Sequence, residues 1–211
     1  MINLITLTKA SLFLVFSLVI FPSIAFPSMN TSFNSKGMIE FKECYFESYK
    51  IGEDKFIIKS RAGTINLENQ EINLKGEVEG LFSLDGNTFI LSSENLISNL
   101  LDRSVLSKER ILLKTKGLEI ASSNMRITQE PSEGIRFFFE NAHLDEIKTK
   151  SKMLKGKANI IELLPSKDLI LMKGNAEFYE DDMKILSDEI QYDLSVDRIL
   201  KSLNATIINI L

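Results

Sequence analysis

Arg61-Ala-Gly-Thr-Ile-Asn-Leu-Glu-Asn-Gln-Glu-Ile-Asn-Leu-Lys-Gly-Glu-Val-Glu79 is the stretch whose reading decides the fold class. Ile65 and Leu67, then Ile72, Leu74 and Val78, alternate with polar residues on either side of Glu68-Asn-Gln-Glu71. Successive side chains of a strand point to opposite faces, so this pattern describes two half-buried antiparallel strands joined by a tight polar turn. Directly downstream, Asp85-Gly86-Asn87 supplies residues that tolerate positive φ, a strong hairpin signal, and Phe89 to Ser92 is the return strand.

The same texture continues to the C-terminus. Candidate strands run over residues 111–114, 118–122, 125–128, 135–140, 142–150, 158–163, 169–173, 176–179, 183–187, 189–194 and 198–200. Turn signals every 8 to 12 residues belong to an all-β meander or jelly roll rather than to βαβ units. One segment competes: Leu96, Ile97, Leu100 and Leu101 recur at helical spacing behind Ser93. An internal echo decides that segment in favour of strand and turn. Leu74-Lys-Gly-Glu-Val-Glu79 recurs as Met172-Lys-Gly-Asn-Ala-Glu177, and Ile90-Leu91-Ser92 as Ile185-Leu186-Ser187. The second copy continues as the cleanly alternating Glu189 to Leu194, so a single continuous domain of stacked hairpins is expected.

Composition narrows the function. The 211 residues carry 25 basic and 29 acidic side chains, a net charge of −4, and no long basic run, which leaves no electrostatic footprint for nucleic acid. One Cys and one His cannot form a Cys/His zinc site, a CxxC pair or an internal disulfide. Phosphate loops, nucleophile elbows and HExxH helices are absent from the sequence. His143 is read as a polar-face or edge residue, Glu180-Asp181-Asp182 as a solvated hairpin turn, and the adjacent Asp188 and Glu189 as pointing to opposite faces rather than forming a carboxylate pair. No catalytic, metal or cofactor site is expected.

The N-terminus carries an export signal. Lys9 precedes the apolar block Ala10 to Phe21, which is too short for a comfortable bilayer crossing, and Ser23-Ile24-Ala25 offers small residues for cleavage. Residues 1–25 are therefore a signal peptide or an uncleaved anchor, 26–37 a linker, and 38–211 the folded domain. Either way the domain leaves the cytoplasm, and Cys44 is expected as a small core residue.

Two features bear on binding. Lys148, Lys150 and Lys152 fall at i, i+2 and i+4 of a strand, suited either to phosphates of a lipid head group or to protecting an exposed edge. Phe137, Phe138 and Phe139 in succession load both faces of one strand, which a packed core explains for one face and an internal slot for a hydrophobic ligand explains for two.

The Arg61 to Glu79 stretch, Asp85 to Leu91 and Gly117 to Ile120 together resemble the β-jellyroll repeat of the periplasmic lipopolysaccharide-transport proteins, the LptC and LptA (OstA-like) family. Leu171 to Glu177, Met183 to Ser187 and Tyr192 to Arg198 are similar to a second copy. The match is best around Arg61 to Ile120, on the LptC-like side, and residues 130–165 have no clear counterpart. The resemblance implies an open, twisted jelly roll, non-enzymatic and periplasmic, either soluble or held at the inner membrane, that carries lipopolysaccharide or a related glycolipid. It implies an apolar slot lined by Ile72, Leu74, Val78, Phe89, Leu91, Phe137, Phe139, Leu171, Phe178, Ile185, Ile190, Tyr192 and Leu194. Implied partners are other jelly-roll proteins docked end to end, further copies of the chain, and an inner-membrane ABC transporter complex. A cell-envelope scaffold of the same fold without a lipid is the alternative. The terminal regions 38–49 and 198–210 are the expected docking edges.

Overall fold

A computed structural model describes residues 24–25, 30–33, 38–49, 55–84, 86–99, 101, 104–115, 117–130, 134–148, 153–180 and 182–210. Sixteen strands form one sheet. The first half contains β1 (Ile24–Ala25), β2 (Asn30–Phe33), β3 (Met38–Tyr49), β4 (Lys55–Asn66), β5 (Glu71–Leu84), β6 (Asn87–Asn99), β7 (Ser104–Ser107) and β8 (Ile111–Thr115). The second half contains β9 (Leu118–Ser122), β10 (Asn124–Glu130), β11 (Gly134–Lys148), β12 (Met153–Leu164), β13 (Leu169–Glu180), β14 (Met183–Asp193), β15 (Arg198–Leu203) and β16 (Thr206–Asn209). A 3-10 turn, Pro165–Lys167, links β12 to β13. The all-β expectation holds, and the segment at Ser93 is strand as far as Asn99, with Leu101 in a turn. Part of the stretch expected as linker, residues 30–33, is a strand on the edge of β3.

Several strands read from the sequence as short neighbours are single long strands. Residues 135–140 and 142–150 merge into β11, which ends at Lys148; 169–173 and 176–179 merge into β13; and 183–187 and 189–194 merge into β14. The interruptions that split them in sequence are corners. At Gly76-Glu77 (φ 73 and 48) and Gly174-Asn175 (φ 72 and 49), two successive residues adopt left-handed backbone, and the register shifts between Lys75 and Val78 and between Lys173 and Ala176. In β11 a single residue, Asn141 (φ 49), is left-handed, with the β12 register unchanged across it. A bulge with positive φ bends a strand sharply and calls for Gly or Asn.

These corners lie side by side and fold the sheet into two walls. The half of β6 before its corner pairs with β8 and the half after it with β7. Likewise β11 pairs with β10 on one wall and β9 on the other, and β14 with β15 and β16. Buried serines stabilise the crease. Ser60, Ser93, Ser122 and Ser187 donate to the carbonyls of Ala62 (3.1 Å), Asn95 (2.9 Å), Asn124 (2.7 Å) and Glu189 (2.8 Å), and the Ser93 and Ser107 hydroxyls meet at 2.9 Å. Where the ladder breaks, the freed backbone groups need a local partner, and a short hydroxyl two residues away supplies one.

The echo in the sequence is structural. Val78 pairs with Ser93 and Leu74 with Leu96, as Ala176 pairs with Ser187 and Met172 with Ile190. Its first element is in register, whereas its second is displaced by one: Leu91, not Ile90, is the equivalent of Ile185. Ile90 faces out, 46% exposed, while Leu91 is buried. In the opening hairpin Ile65 pairs with Ile72, and the turn falls one residue earlier than read: β4 ends at Asn66 and Leu67 lies exposed in the turn.

Candidate functional site: an apolar groove between two walls

The alternation sends one apolar row from every strand into the space between the walls. Ile72, Leu74, Val78, Phe89, Leu91, Phe137, Phe139, Phe178, Ile185, Ile190 and Tyr192 are all buried and belong to one contiguous cluster, with Leu194 half-buried against it. Full burial of such side chains contributes about 1.5–3 kcal/mol each, so this row also dominates stability. Leu171 is a correction. Ile170 and Met172 are both 0% exposed and face inward, so Leu171 points to the outer face. The inward row keeps its parity across the corner at Gly174-Asn175, through Ile170, Met172, Ala176 and Phe178, so plain alternation back from Phe178 already places Leu171 outside.

Aromatic rings connect the walls. Phe82 and Phe89 stack at 5.3 Å on one wall, and both stack on Phe137 of the other, at 5.9 and 5.5 Å; Phe137 stacks in turn on Phe139 at 6.3 Å. Phe82 was not among the residues singled out from sequence, because Gly80 beside it conceals the aromatic row. Phe138, the middle ring of the triplet, lies on the outer face with the Arg136 guanidinium 5.5 Å from its centroid. At the other end of the groove Phe178 and Tyr192 meet across the walls at 5.2 Å. The Tyr192 hydroxyl donates to the Asp197 carboxylate in the β14–β15 turn, and burial with that bond pushes its pKa far up.

The outer face is polar and cross-braced. Glu177 accepts from Lys184 (2.9 Å), Lys157 (3.0 Å) and Tyr179 (2.8 Å), which hold its carboxyl down at about 2. Glu162, 6% exposed, is paired with Lys173 at 2.7 Å. His143 lies on this exposed face between buried Ala142 and Leu144. Cys44 is 2% exposed, and burial pushes its thiol up to about 12. Among the described residues no group of three His, Cys, Asp or Glu is placed to hold a metal ion, and no helix is long and apolar enough to cross a membrane. The proposed cationic face falls outside the described residues: the side chain of Lys148, and Lys150 and Lys152 entirely.

The groove is unclosed at its C-terminal end. Every described residue of β16 and all of β15 except Ile199 is exposed. Ile199 and Ile207 pair with Tyr192 and Ile185 and so continue the inner apolar row, Ile207 being 63% exposed. Strand spacing of about 4.8 Å makes the path from β3 to this edge roughly 50 Å wide.

Comparison with known proteins bears out the resemblance. Residues 111–198 match the family model described as LptA/(LptD N-terminal domain) LPS transport protein. That match includes 130–165, which the sequence reading left without a counterpart, and excludes most of 61–120, which it favoured. No curated protein matches the chain in sequence. The fold is similar to LptH, the LptA-homologous periplasmic component of the lipopolysaccharide transport device of Pseudomonas aeruginosa. The TM-score is 0.50 at 8% identity, over 57% of this chain and 93% of that one.

Proposed function

We propose that this chain, whose residues 111–198 carry the pattern of LptA and LptD N-terminal domains, is a non-enzymatic periplasmic carrier in lipopolysaccharide transport. The acyl chains of lipopolysaccharide or a related glycolipid enter the groove between the walls, and the C-terminal edge docks on another jelly roll of the bridge. The observation that carries this reading is the inner apolar row, which runs through both walls and out onto half-buried Ile199 and exposed Ile207. An apolar row that ends at an open sheet edge is suited to continuation by a neighbour, which adds its strand through the free backbone groups. Export by the N-terminal segment, contacts of Lys148, Lys150 and Lys152 with anionic head groups, and association with further copies or with an inner-membrane ABC transporter complex belong to the same proposal.

Photo-crosslinking tests it. A benzophenone side chain at Phe89 or Ile185, in protein whose circular dichroism is unchanged, is expected to capture lipopolysaccharide. Capture at neither position would favour the lipid-free envelope scaffold.

A further inference from the structure

The two echoing hairpins differ at one level of the groove. In the first, Gly80 pairs with Leu91 and Ile72 with Ser98; in the second, the equivalent pairs are Phe178 with Ile185 and Ile170 with Tyr192. A glycine and a serine on opposite walls thus stand where the second hairpin has the two rings that meet at 5.2 Å. The space differs accordingly. A Cβ built on Gly80 would have only two atoms within 4 Å, both from adjacent Leu91, at 3.5 and 3.7 Å, and nothing from the facing wall. On Gly156, which pairs with Phe178, it would meet the Met172 methyl of the facing wall at 2.8 Å. The facing wall thus reaches Gly156 but leaves room at Gly80, although Phe82 and Phe89, two residues further along β5 and β6, do stack on Phe137 across the walls.

We propose that Gly80 and Ser98 mark the seat of an acyl chain, and that Phe178 and Tyr192 form a plug between that seat and the C-terminal edge. The inference rests on the lipid-carrier reading and adds position and direction to it. A chain seated over β5–β6 must pass Phe137, stacked on Phe82 and Phe89, and then displace the two rings to reach β15 and β16. The Tyr192 hydroxyl bond to Asp197 ties the plug to the turn that precedes the edge strand, so a neighbour docking on β15 acts on the element that holds the plug.

The test uses the full chain, purified lipopolysaccharide, and benzophenone side chains at Phe89, on the seat side, and at Ile207, beyond the plug. Wild-type protein should crosslink at Phe89 and little at Ile207. Replacing the plug with the first hairpin's residues, Phe178→Gly with Tyr192→Ser, should raise capture at Ile207 severalfold. Tyr192→Phe keeps the ring and removes only the bond to Asp197, and should give a smaller rise without loss of thermal stability beyond that of one hydrogen bond. Gly80→Phe should fill the seat and weaken binding about fifty-fold, the equivalent of roughly three methylenes denied burial. Equal capture at Phe89 and Ile207 in wild type, or unchanged capture at Ile207 in both plug variants, would overturn the plug while leaving the carrier intact. Capture at neither position in any folded variant would overturn the carrier and the plug together.

Discussion

Gly156 and Gly80 lie on the same wall, both buried and both facing inward, yet the same substitution should act on them in opposite directions. In Gly156→Ala the new methyl lies 2.8 Å from the Met172 Cε, 3.0 Å from the Glu177 carbonyl oxygen and 3.4 Å from Leu144 Cδ1. The carbonyl is fixed by the β12–β13 ladder, so the methyl cannot be accommodated by a side-chain rotation alone. Overpacking of this kind costs about 1–3 kcal/mol. For a chain of this size that lowers Tm by about 2–12 °C, at roughly 2–4 °C per kcal/mol. In Gly80→Ala the methyl makes ordinary contact with Leu91, and the backbone there is not left-handed. Removing glycine's freedom in the unfolded chain should then stabilise by about 0.4–1 kcal/mol. Thermal melts followed by circular dichroism measure both, and Met172→Ala should partly rescue Gly156→Ala, only partly because the carbonyl contact remains. Equal shifts for the two alanines would refute the claim that the facing wall closes on Gly156 and leaves room at Gly80.

Three further outcomes are expected. The Cys44 thiol, pushed up to about 12 by burial, should react with Ellman's reagent at pH 8 only as fast as the protein opens, and completely in guanidinium; immediate native labelling would contradict its placement. Glu177, held down at about 2 against an ordinary value of 4.5, contributes stability that is present above pH 4.5 and lost as pH falls toward 2. Glu177→Gln should accordingly lower Tm at pH 6 and make no difference near pH 2, the effect being modest because its lysine partners are partly exposed. At the C-terminal edge, the Ile210 amide donates to Asp182, so by alternation along β16 the Ile207 amide points away from β14. Ile207→Pro should therefore abolish edge-mediated assembly in analytical ultracentrifugation while leaving the monomer's melting curve nearly unchanged; assembly that persists would exclude this edge.

The hairpin from Ala62 to Val78, the turn at Gly86 and the two-residue periodicity beyond them are local consequences of side-chain alternation and turn chemistry, and they are legible in the sequence. So is most of the groove: once a strand's phase is set at Leu74 or Ile185, the inward row follows. What the sequence could not carry is the phase across a corner. In β11 the inward row passes from Phe137 and Phe139 to Ala142 and Leu144, and in β14 from Ile185 and Ser187 to Ile190 and Tyr192, whereas β13 keeps one phase through Ile170, Met172, Ala176 and Phe178, which by itself places Leu171 outside the groove. The same ambiguity made β11, β13 and β14 read as pairs of short strands. The echo of Lys-Gly-Glu-Val in Lys-Gly-Asn-Ala was visible as a repeat, but its meaning as a left-handed corner depends on the shifted registers of the neighbouring strands. Which residues face each other across the groove lay beyond any one strand's pattern. Gly80 and Ser98, or Phe178 and Tyr192, are separated by a hairpin and a crease, and only the folding of one sheet into two walls makes the first pair small and open and the second pair a contact.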